Sequence, residues 1–422
     1  MSELRIYPAR LEGSVAAPPS KSAAHRALIC AALSGQACQV APVAASADMQ
    51  ATLGVLAAMG ARFTQDAAAV RFLGAHWTDQ PVTLNCIESG STLRFLLPVA
   101  AALGIPATFT GSGRLPQRPI GALTEQLREH HISLCANTLP LTISGRLSGG
   151  RFMLPGDSSS QFISGLLFAL PMLEQDSEIL LTCPLQSAGY VDMTLKALRA
   201  SGIRVTDEGR GTASERFYIP GKQHYHSDNL TVEGDWSNAA FWLCAAAISG
   251  NLVVSGLGSS VQGDRAIMDL IWQFGGQIAV NSCGDVWCYA APLHGCRIDA
   301  GPIPDLVPIL AVMGAFANGT TEIYNAARLR IKESDRLATV TAMLRSLGGQ
   351  VEEYPDRLVI HGGGLRGGQV DGANDHRIVM AAAIAAQNCT EPVVITGTQA
   401  VQKSYPSFFS ELSTLGGRFD VV

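Results

Sequence analysis

Six runs in this chain read as one segment written repeatedly: KSAAHRALICAALSG, GSTLRFLLPVAAALG, SSQFISGLLFALPML, WSNAAFWLCAAAISG, DLVPILAVMGAFANG and NDHRIVMAAAIAAQN. They begin at Lys21, Gly90, Ser159, Trp236, Asp305 and Asn374, so the steps between them are 69, 69, 77, 69 and 69 residues. Equal steps broken once imply two related domains, each built from three copies of one unit. Each run opens on a polar or charged cluster and is then apolar almost all round. That pattern predicts a helix buried inside its domain, with its polar groups gathered at its start.

A second helical pattern alternates with the first. SADMQATLGVLAAMGARF, RPIGALTEQLREHHISL, YVDMTLKALRASGIRV, GDRAIMDLIWQFGGQI, KESDRLATVTAMLRSLGGQV and SYPSFFSELSTLGGRF place apolar residues at i, i+3, i+4 and i+7, and most stop at glycine. Strand candidates such as VTLNCI, ATFTGS, RFMLPG, EILLTC, LVVSG, TEIYNA, RLVIHG and PVVITG lie between them. Each unit therefore reads strand–helix–strand–helix–strand, which predicts an α/β fold with buried helices and outer sheets. The eight extra residues of the long step fall around SERFYIPGKQHYHSDNLTV, the candidate domain crossover. The strand ELRIYPA at the N-terminus has no unit of its own, and a closed three-unit domain at the far end of the chain would recruit it.

Hydrophobic residues make up 47% of the 422 residues and charged ones only 15%, which fits well-buried globular domains. A net charge of −5 gives no basis for nucleic-acid binding. The apolar runs are short and punctuated by glycine, and the first residues lack an apolar signal segment, so no membrane span and a cytoplasmic location are expected. Ten cysteines include no C-x-x-C pair, and Cys283, Cys288 and Cys296 near His294 lack the paired spacing of a zinc site. Cys30 and Cys244 sit in apolar runs as small hydrophobes in a reducing compartment.

A helix start exposes backbone N–H groups and partial positive charge, which suits anions. The second residues of the six copies are Ser22, Ser91, Ser160, Ser237, Leu306 and Asp375, where serine and aspartate also suit a capping role. Ser237 reads as a cap. Lys21, Ser22 and Arg26 form a cradle for phosphate or carboxylate. Gly90 lets a ligand approach the backbone with Arg94 nearby, Arg114 and Arg118 sit in a Pro-bounded loop, and Ser159, Ser160 and Gln161 are neutral donors. In the later half, Asp305 opens a helix with little nearby to neutralise it. Arg328, Arg330, Lys332, Glu333, Asp335 and Arg336 crowd nine positions, either as a solvated helix face or as a site. Asp375, His376, Arg377 and Lys403 complete a set able to gather anions and move protons.

The set P-S-K-S-x-x-x-R, the loop from Gly90 to Arg94, Q-R-P-I-G, S-S-Q-F, E-G-D, I-P-D, K-E-S-D-R-L, N-D-H-R and K-S-Y-P, in this order, closely resembles the EPSP synthases (3-phosphoshikimate 1-carboxyvinyltransferases), a branch of the enolpyruvyl transferases. The resemblance implies two similar domains of three βαβαββ-type repeats, an inside-out α/β barrel arrangement hinged to close a cleft on substrate. One domain would be discontinuous, residues 1–15 plus 231–422, and the other would span 16–230. It further implies transfer of the enolpyruvyl group of phosphoenolpyruvate to the 5-hydroxyl of shikimate 3-phosphate, by addition and elimination through a tetrahedral intermediate. Neither a metal nor an organic cofactor is implied, and a monomer is expected. Asp305 would take the hydroxyl proton with Lys21 close by, and Glu333 would serve the methylene carbon with His376 in support. Lys21, Gly90, Arg118, Gln161, Arg336, Arg377 and Lys403 would hold phosphoenolpyruvate. Lys21, Ser22, Arg26, Ser159, Ser160, Gln161, Ser187, Asp305 and Lys332 would hold shikimate 3-phosphate. Gly90 would leave room for the herbicide glyphosate.

The chain departs from the common family pattern in three places. Ile87-Glu88-Ser89-Gly90-Ser91 stands where G-N-A-G-T is usual, Ser187-Ala188-Gly189-Tyr190 replaces S-K-P-Y, and Arg328 stands where asparagine is frequent. The sister enzymes acting on UDP-N-acetylglucosamine carry a cysteine in the loop before R-P, and RLPQRP has none. A non-catalytic scaffold for anions would explain the repeats but not a different acid, base or cation in each copy.

Overall fold

The computed structural model describes residues 3–212 and 214–422. Among the described residues twelve α-helices fall where the two alternating patterns place them. The buried set is α1 (Lys21–Ser34), α3 (Gly90–Leu103), α5 (Ser160–Ala169), α7 (Trp236–Ile248), α9 (Val307–Phe316) and α11 (His376–Ala386). The amphipathic set is α2 (Ala47–Met59), α4 (Gly121–Glu129), α6 (Ala188–Ala200), α8 (Ile267–Gln273), α10 (Arg336–Ser346) and α12 (Phe408–Thr414). Side-chain caps set most starts of the buried helices. Ser20, Ser89, Ser159, Asp235 and Asp375 accept backbone N–H bonds from the first turn of α1, α3, α5, α7 and α11. Ser237 is therefore not a cap, and neither are Ser22, Ser91 and Ser160. The capping residue lies one or two positions earlier, because a cap must stand outside the first turn whose N–H groups it accepts.

The chain divides into two compact units, one running through Pro18 and resuming at Glu233, the other spanning Pro19–Val232. Among the described residues the strands form six sheets of four, three per unit. All six share one plan, a parallel pair followed by two antiparallel neighbours. Arg297–Asp299 runs parallel to Thr320–Tyr324, followed by Leu358–His361 and Gln350–Glu353. In four of the six the helix between the parallel strands is the buried one, as a crossover requires.

Two strands break sequence order. Glu12–Ala16 leads into α1 but pairs in parallel with Asn251–Ser255, beyond α7. Leu230–Thr231 leads into α7 but pairs with Ala37–Ala41, beyond α1. The N-terminal strand Glu3–Tyr7 lies between Val393–Thr396 and Arg418–Val421, and so completes the sheet of the last repeat. Its alternation specifies that register, since Leu4 and Ile6 are buried while Arg5 faces out.

Each unit has its own apolar core. In the discontinuous unit α7, α9 and α11 pack against one another in pairs. The other unit differs from a symmetric bundle of three. There α3 and α5 lie face to face, so close that a methyl at Gly165 would meet the Arg94 carbonyl oxygen at 2.2 Å. Helix α1 packs mainly on α2 and α6 and reaches α3 through side chains, with Arg26 over the Phe95 ring at 5.1 Å. Its buried His25 and Arg26 occupy the space that an apolar face would otherwise close.

Candidate active site

In the discontinuous unit the site begins with a loop fixed from behind. Arg330 binds Asp335 at 3.0 Å and Glu353 at 2.9 Å, and donates to the carbonyls of Tyr354 and Pro355. Asp335 caps α10 by accepting Ala338 N–H. Arg336, the first residue of that helix, is thereby driven inside, with its side chain 1% exposed. Its three nitrogens meet three carboxylates: Nε to Asp375 at 2.8 Å, Nη1 to Asp305 at 2.8 Å, and Nη2 to Glu333 at 2.7 Å. The crowded charge run is thus an interlocked cluster around a buried guanidinium rather than a solvated face.

Asp305 is well neutralised, contrary to the expectation from its local sequence. Besides Arg336, Arg377 reaches its Oδ2 at 3.2 Å and its carbonyl at 3.0 Å, and Lys332 stands 3.7 Å from Oδ1. The cations come from residues 332, 336 and 377, too far along the chain to be visible beside Asp305. Burial favours the neutral acid, but Arg377, Lys332 and Arg336 outweigh it and hold Asp305 well below the usual carboxylate range. Burial also lowers the Lys332 ammonium to about 8, despite the attraction of Asp305. Arg336 is pushed the other way. Its burial is outweighed by Asp375, Glu333 and Asp305, and it stays charged.

Asp375 does double work, capping α11 through Arg377 N–H while accepting Ser334 Oγ at 2.9 Å. His376 lies 3.9 Å from it, and Lys403 donates to the Asn374 carbonyl at 2.6 Å. Ala373 and Asn374 both adopt left-handed backbone conformations, at φ 50° and 51°, to turn the chain into α11. Such conformations cost about 1–3 kcal/mol each and persist where surrounding structure imposes them. Behind Asp305, Asp264 is fully buried and accepts the Ser237 hydroxyl, while burial, aided by the Asp305 charge, raises it to about 6. Nothing in GDRAIMDL distinguishes Asp264 from an ordinary helix-opening acid.

In the continuous unit Lys21 opens α1 and pairs with Asp48 on α2 at 2.9 Å. The Ser22 carbonyl accepts Arg26 Nη1 at 2.7 Å, and Arg26 also donates to Thr194 Oγ1 and the Tyr190 carbonyl. Two of these three bonds tie α1 to α6, and the third stays within α1. Gly90 opens α3. A methyl there would lie 2.5 Å from Arg94 Nη1 and 2.7 Å from Arg118 Nη1, so two guanidinium groups border this bare backbone. Arg94 also donates to Gln161 Oε1 at 2.9 Å, and Gln161 donates to Ser91 Oγ at 2.9 Å. Ser159 and Ser160 start α5 beside Gln161, and Ser187 precedes α6 in a left-handed conformation at φ 56°. The unexpected Glu88 lies over Gly113, where a methyl would come within 2.3 Å of its carboxylate. Asp48 was not singled out by sequence. Its position in the first turn of an amphipathic helix looks like ordinary dipole compensation.

The chain as a whole is similar to known proteins. The family model for EPSP synthase (3-phosphoshikimate 1-carboxyvinyltransferase) matches residues 7–412. The 3-phosphoshikimate 1-carboxyvinyltransferase of Clostridium acetobutylicum is 44% identical over 99% of this chain and 98% of its own. That of Clostridium kluyveri is 42% identical over 100% and 99%. The chain belongs to the EPSP synthase family. Among solved structures, an EPSP synthase from Acinetobacter baumannii superposes with a TM-score of 0.83 at 25% identity, covering both chains completely. The enolpyruvyl transferase NikO from Streptomyces tendae shares the fold at a TM-score of 0.79 and 17% identity. The fold is the α/β arrangement of six four-stranded sheets common to these transferases.

For a member of this family the three-carboxylate grip of Arg336 has a measurable consequence. Arg336→Met leaves Asp375 buried without its principal counter-charge, and stability should fall by about 3 kcal/mol or more. Urea denaturation at neutral pH measures the loss. In the unchanged protein Asp305 and Asp375 have lowered pKa values, so their stabilisation is lost as pH falls through those values. The variant lacks that stabilisation, so the gap between the two proteins should narrow in acid.

Proposed function

We infer that this chain is a 3-phosphoshikimate 1-carboxyvinyltransferase, transferring the enolpyruvyl group of phosphoenolpyruvate to shikimate 3-phosphate in aromatic amino-acid biosynthesis. The observation that carries the reading is full-length relationship at 44% identity to an enzyme of that name. The absence of cysteine from Arg114–Pro119 favours it over transfer to UDP-N-acetylglucosamine.

The residue roles extend this proposal. As the family resemblance implies, phosphoenolpyruvate is held by Lys21, Gly90, Arg118, Gln161, Arg336, Arg377 and Lys403. Guanidinium groups suit both its carboxylate and its phosphate because they bind bidentately. Ser22, Arg26, Ser159, Ser160, Ser187 and Lys332 hold shikimate 3-phosphate with Lys21, Gln161 and Asp305. A carboxylate with a strongly lowered pKa is a weak base, and the arrangement around Asp305 offers a remedy. When Arg336 and Arg377 turn to an incoming anion, Asp305 loses counter-charge and its affinity for the 5-hydroxyl proton rises. Glu333, bound to the same guanidinium, then serves the methylene carbon, with His376 in support. In elimination Glu333 takes a proton back from the methyl carbon, the carbon–carbon double bond re-forms as the bond to phosphate breaks, and the proton taken from the hydroxyl leaves with the phosphate.

Three measurements test this. Mixing the protein with both substrates should release inorganic phosphate, and Asp305→Ala and Glu333→Ala should each lower kcat by about 10² or more. Release with UDP-N-acetylglucosamine but not with shikimate 3-phosphate overturns the reading. Gly90→Ala forces Arg94 and Arg118 to move, so glyphosate inhibition should weaken sharply and the KM for phosphoenolpyruvate should rise. Unchanged inhibition removes Gly90 from the anion site. Lys332 is charged below about pH 8 and neutral above it, so kcat/KM for shikimate 3-phosphate should fall as pH rises past about 8. Lys332→Arg should carry the fall to higher pH; a profile unaffected by that change excludes Lys332 from the phosphate contact.

A further inference from the structure

Next to Lys21 in the continuous unit lies a set of buried polar groups to which no part in the chemistry has been given. Helix α1 places Lys21 and His25 one turn apart on one face, and α2 places Asp48 and Thr52 in the same relation. These residues make two rungs: the ion pair Lys21–Asp48 at 2.9 Å and the hydrogen bond between His25 Nδ1 and Thr52 Oγ1 at 2.8 Å. From Thr52 the second rung continues to Thr92 Oγ1 of α3 at 2.7 Å, and Thr92 donates to Ser89 Oγ at 2.8 Å. Ser89 caps α3 and is the residue immediately before Gly90. All four side chains are buried.

The direction of the line follows from its donors. A hydroxyl has one hydrogen. Thr92 spends its own on Ser89, so it accepts from Thr52. Thr52 then has none left for His25 and accepts from the ring. His25 therefore carries its proton on Nδ1, leaving Nε2 a bare, buried nitrogen without a hydrogen-bond partner among the described residues. The ring is kept neutral, since burial and the nearby Lys21 and Arg26 hold its pKa well below the usual value. A buried imidazole with one nitrogen unsatisfied costs stability, which argues that the Nδ1 bond is what keeps it there.

We propose that His25, Thr52, Thr92 and Ser89 are positioning residues, a one-directional hydrogen-bond line that holds the Gly90 turn in register with Lys21 and so sets the affinity for the phosphoenolpyruvate-like anion. The proposal rests on the reading of Gly90, Arg94 and Arg118 as an anion site. Little slack exists there, because the space a methyl would take at Gly90 is already bordered by two guanidinium groups at 2.5 and 2.7 Å. Loss of the line shifts Ser89, and Gly90 moves with it.

The test compares Thr92→Val, which keeps the shape and deletes the hydroxyl, with Thr92→Ser, which keeps the hydroxyl. Thr92→Val should raise the KM for phosphoenolpyruvate and the inhibition constant of glyphosate together by about tenfold, the scale of one buried hydrogen bond, with kcat changed much less. Thr92→Ser should restore both constants. In the unchanged protein, nitrogen NMR of His25 should show a neutral ring protonated at Nδ1 across neutral pH, a readout that needs no variant to fold. In Thr92→Val the Thr52 hydroxyl is released to donate to the ring, and that tautomer preference should weaken. A variant with a lower melting temperature but unchanged constants, or a His25 ring protonated at Nε2, overturns the proposal. Gly90→Ala is the control. If it leaves phosphoenolpyruvate binding unchanged, the anion-site reading itself fails. If it weakens binding while Thr92→Val does not, only the hydrogen-bond line fails.

Discussion

The site in the discontinuous unit depends on one buried guanidinium. Arg336 is almost wholly removed from water, and its three nitrogens are matched by Asp305, Glu333 and Asp375. These carboxylates sit at or just before the starts of α9, α10 and α11, so one cation fixes the mutual geometry of three helix starts from two repeats. A buried charge is tolerable only when it is paired and hydrogen-bonded in this way. The pairing also sets the chemistry. Arg336, Arg377 and Lys332 hold Asp305 ionised, and each of these cations already faces a carboxylate.

The continuous unit solves a different problem with different groups. Around Gly90 the nearest charged groups are both cationic, and the backbone itself forms one wall. Neutral donors extend this surface, from Gln161 and the serines that open α5. The repeats supply equivalent helix starts in both units, but one set has diverged into a charge-balanced cluster and the other into a cradle. Glycine matters twice here for lack of a side chain, at Gly90 to leave the guanidinium groups room and at Gly165 to let α3 and α5 meet backbone to backbone.

Much of this architecture is legible in the sequence, because the signals are local. Apolar periodicity marks all twelve helices, and glycine marks where several of them stop. Where the reading went astray, the missing information was tertiary. Asp305 looked unneutralised because its cations lie 27, 31 and 72 residues further on. Ser237 looked like a cap, but Asp235 takes that role and Ser237 turns inward to Asp264. Asp48 and Asp264 went unnoticed, since an isolated acid in a helical turn has no signature until its partner is seen.

By itself the sequence determined the sixfold repeat, the buried and amphipathic helices, and the polar openings on which the candidate site is built. Those features follow from side-chain periodicity within a few turns of chain. Only the tertiary structure decided that the strands Glu12–Ala16 and Leu230–Thr231 each complete a sheet beyond the helix that follows the other, and which carboxylate each cation meets. Strand pairing and charge pairing are made across tens to hundreds of residues. Their energies depend on burial and distance, and neither quantity exists until the chain has folded.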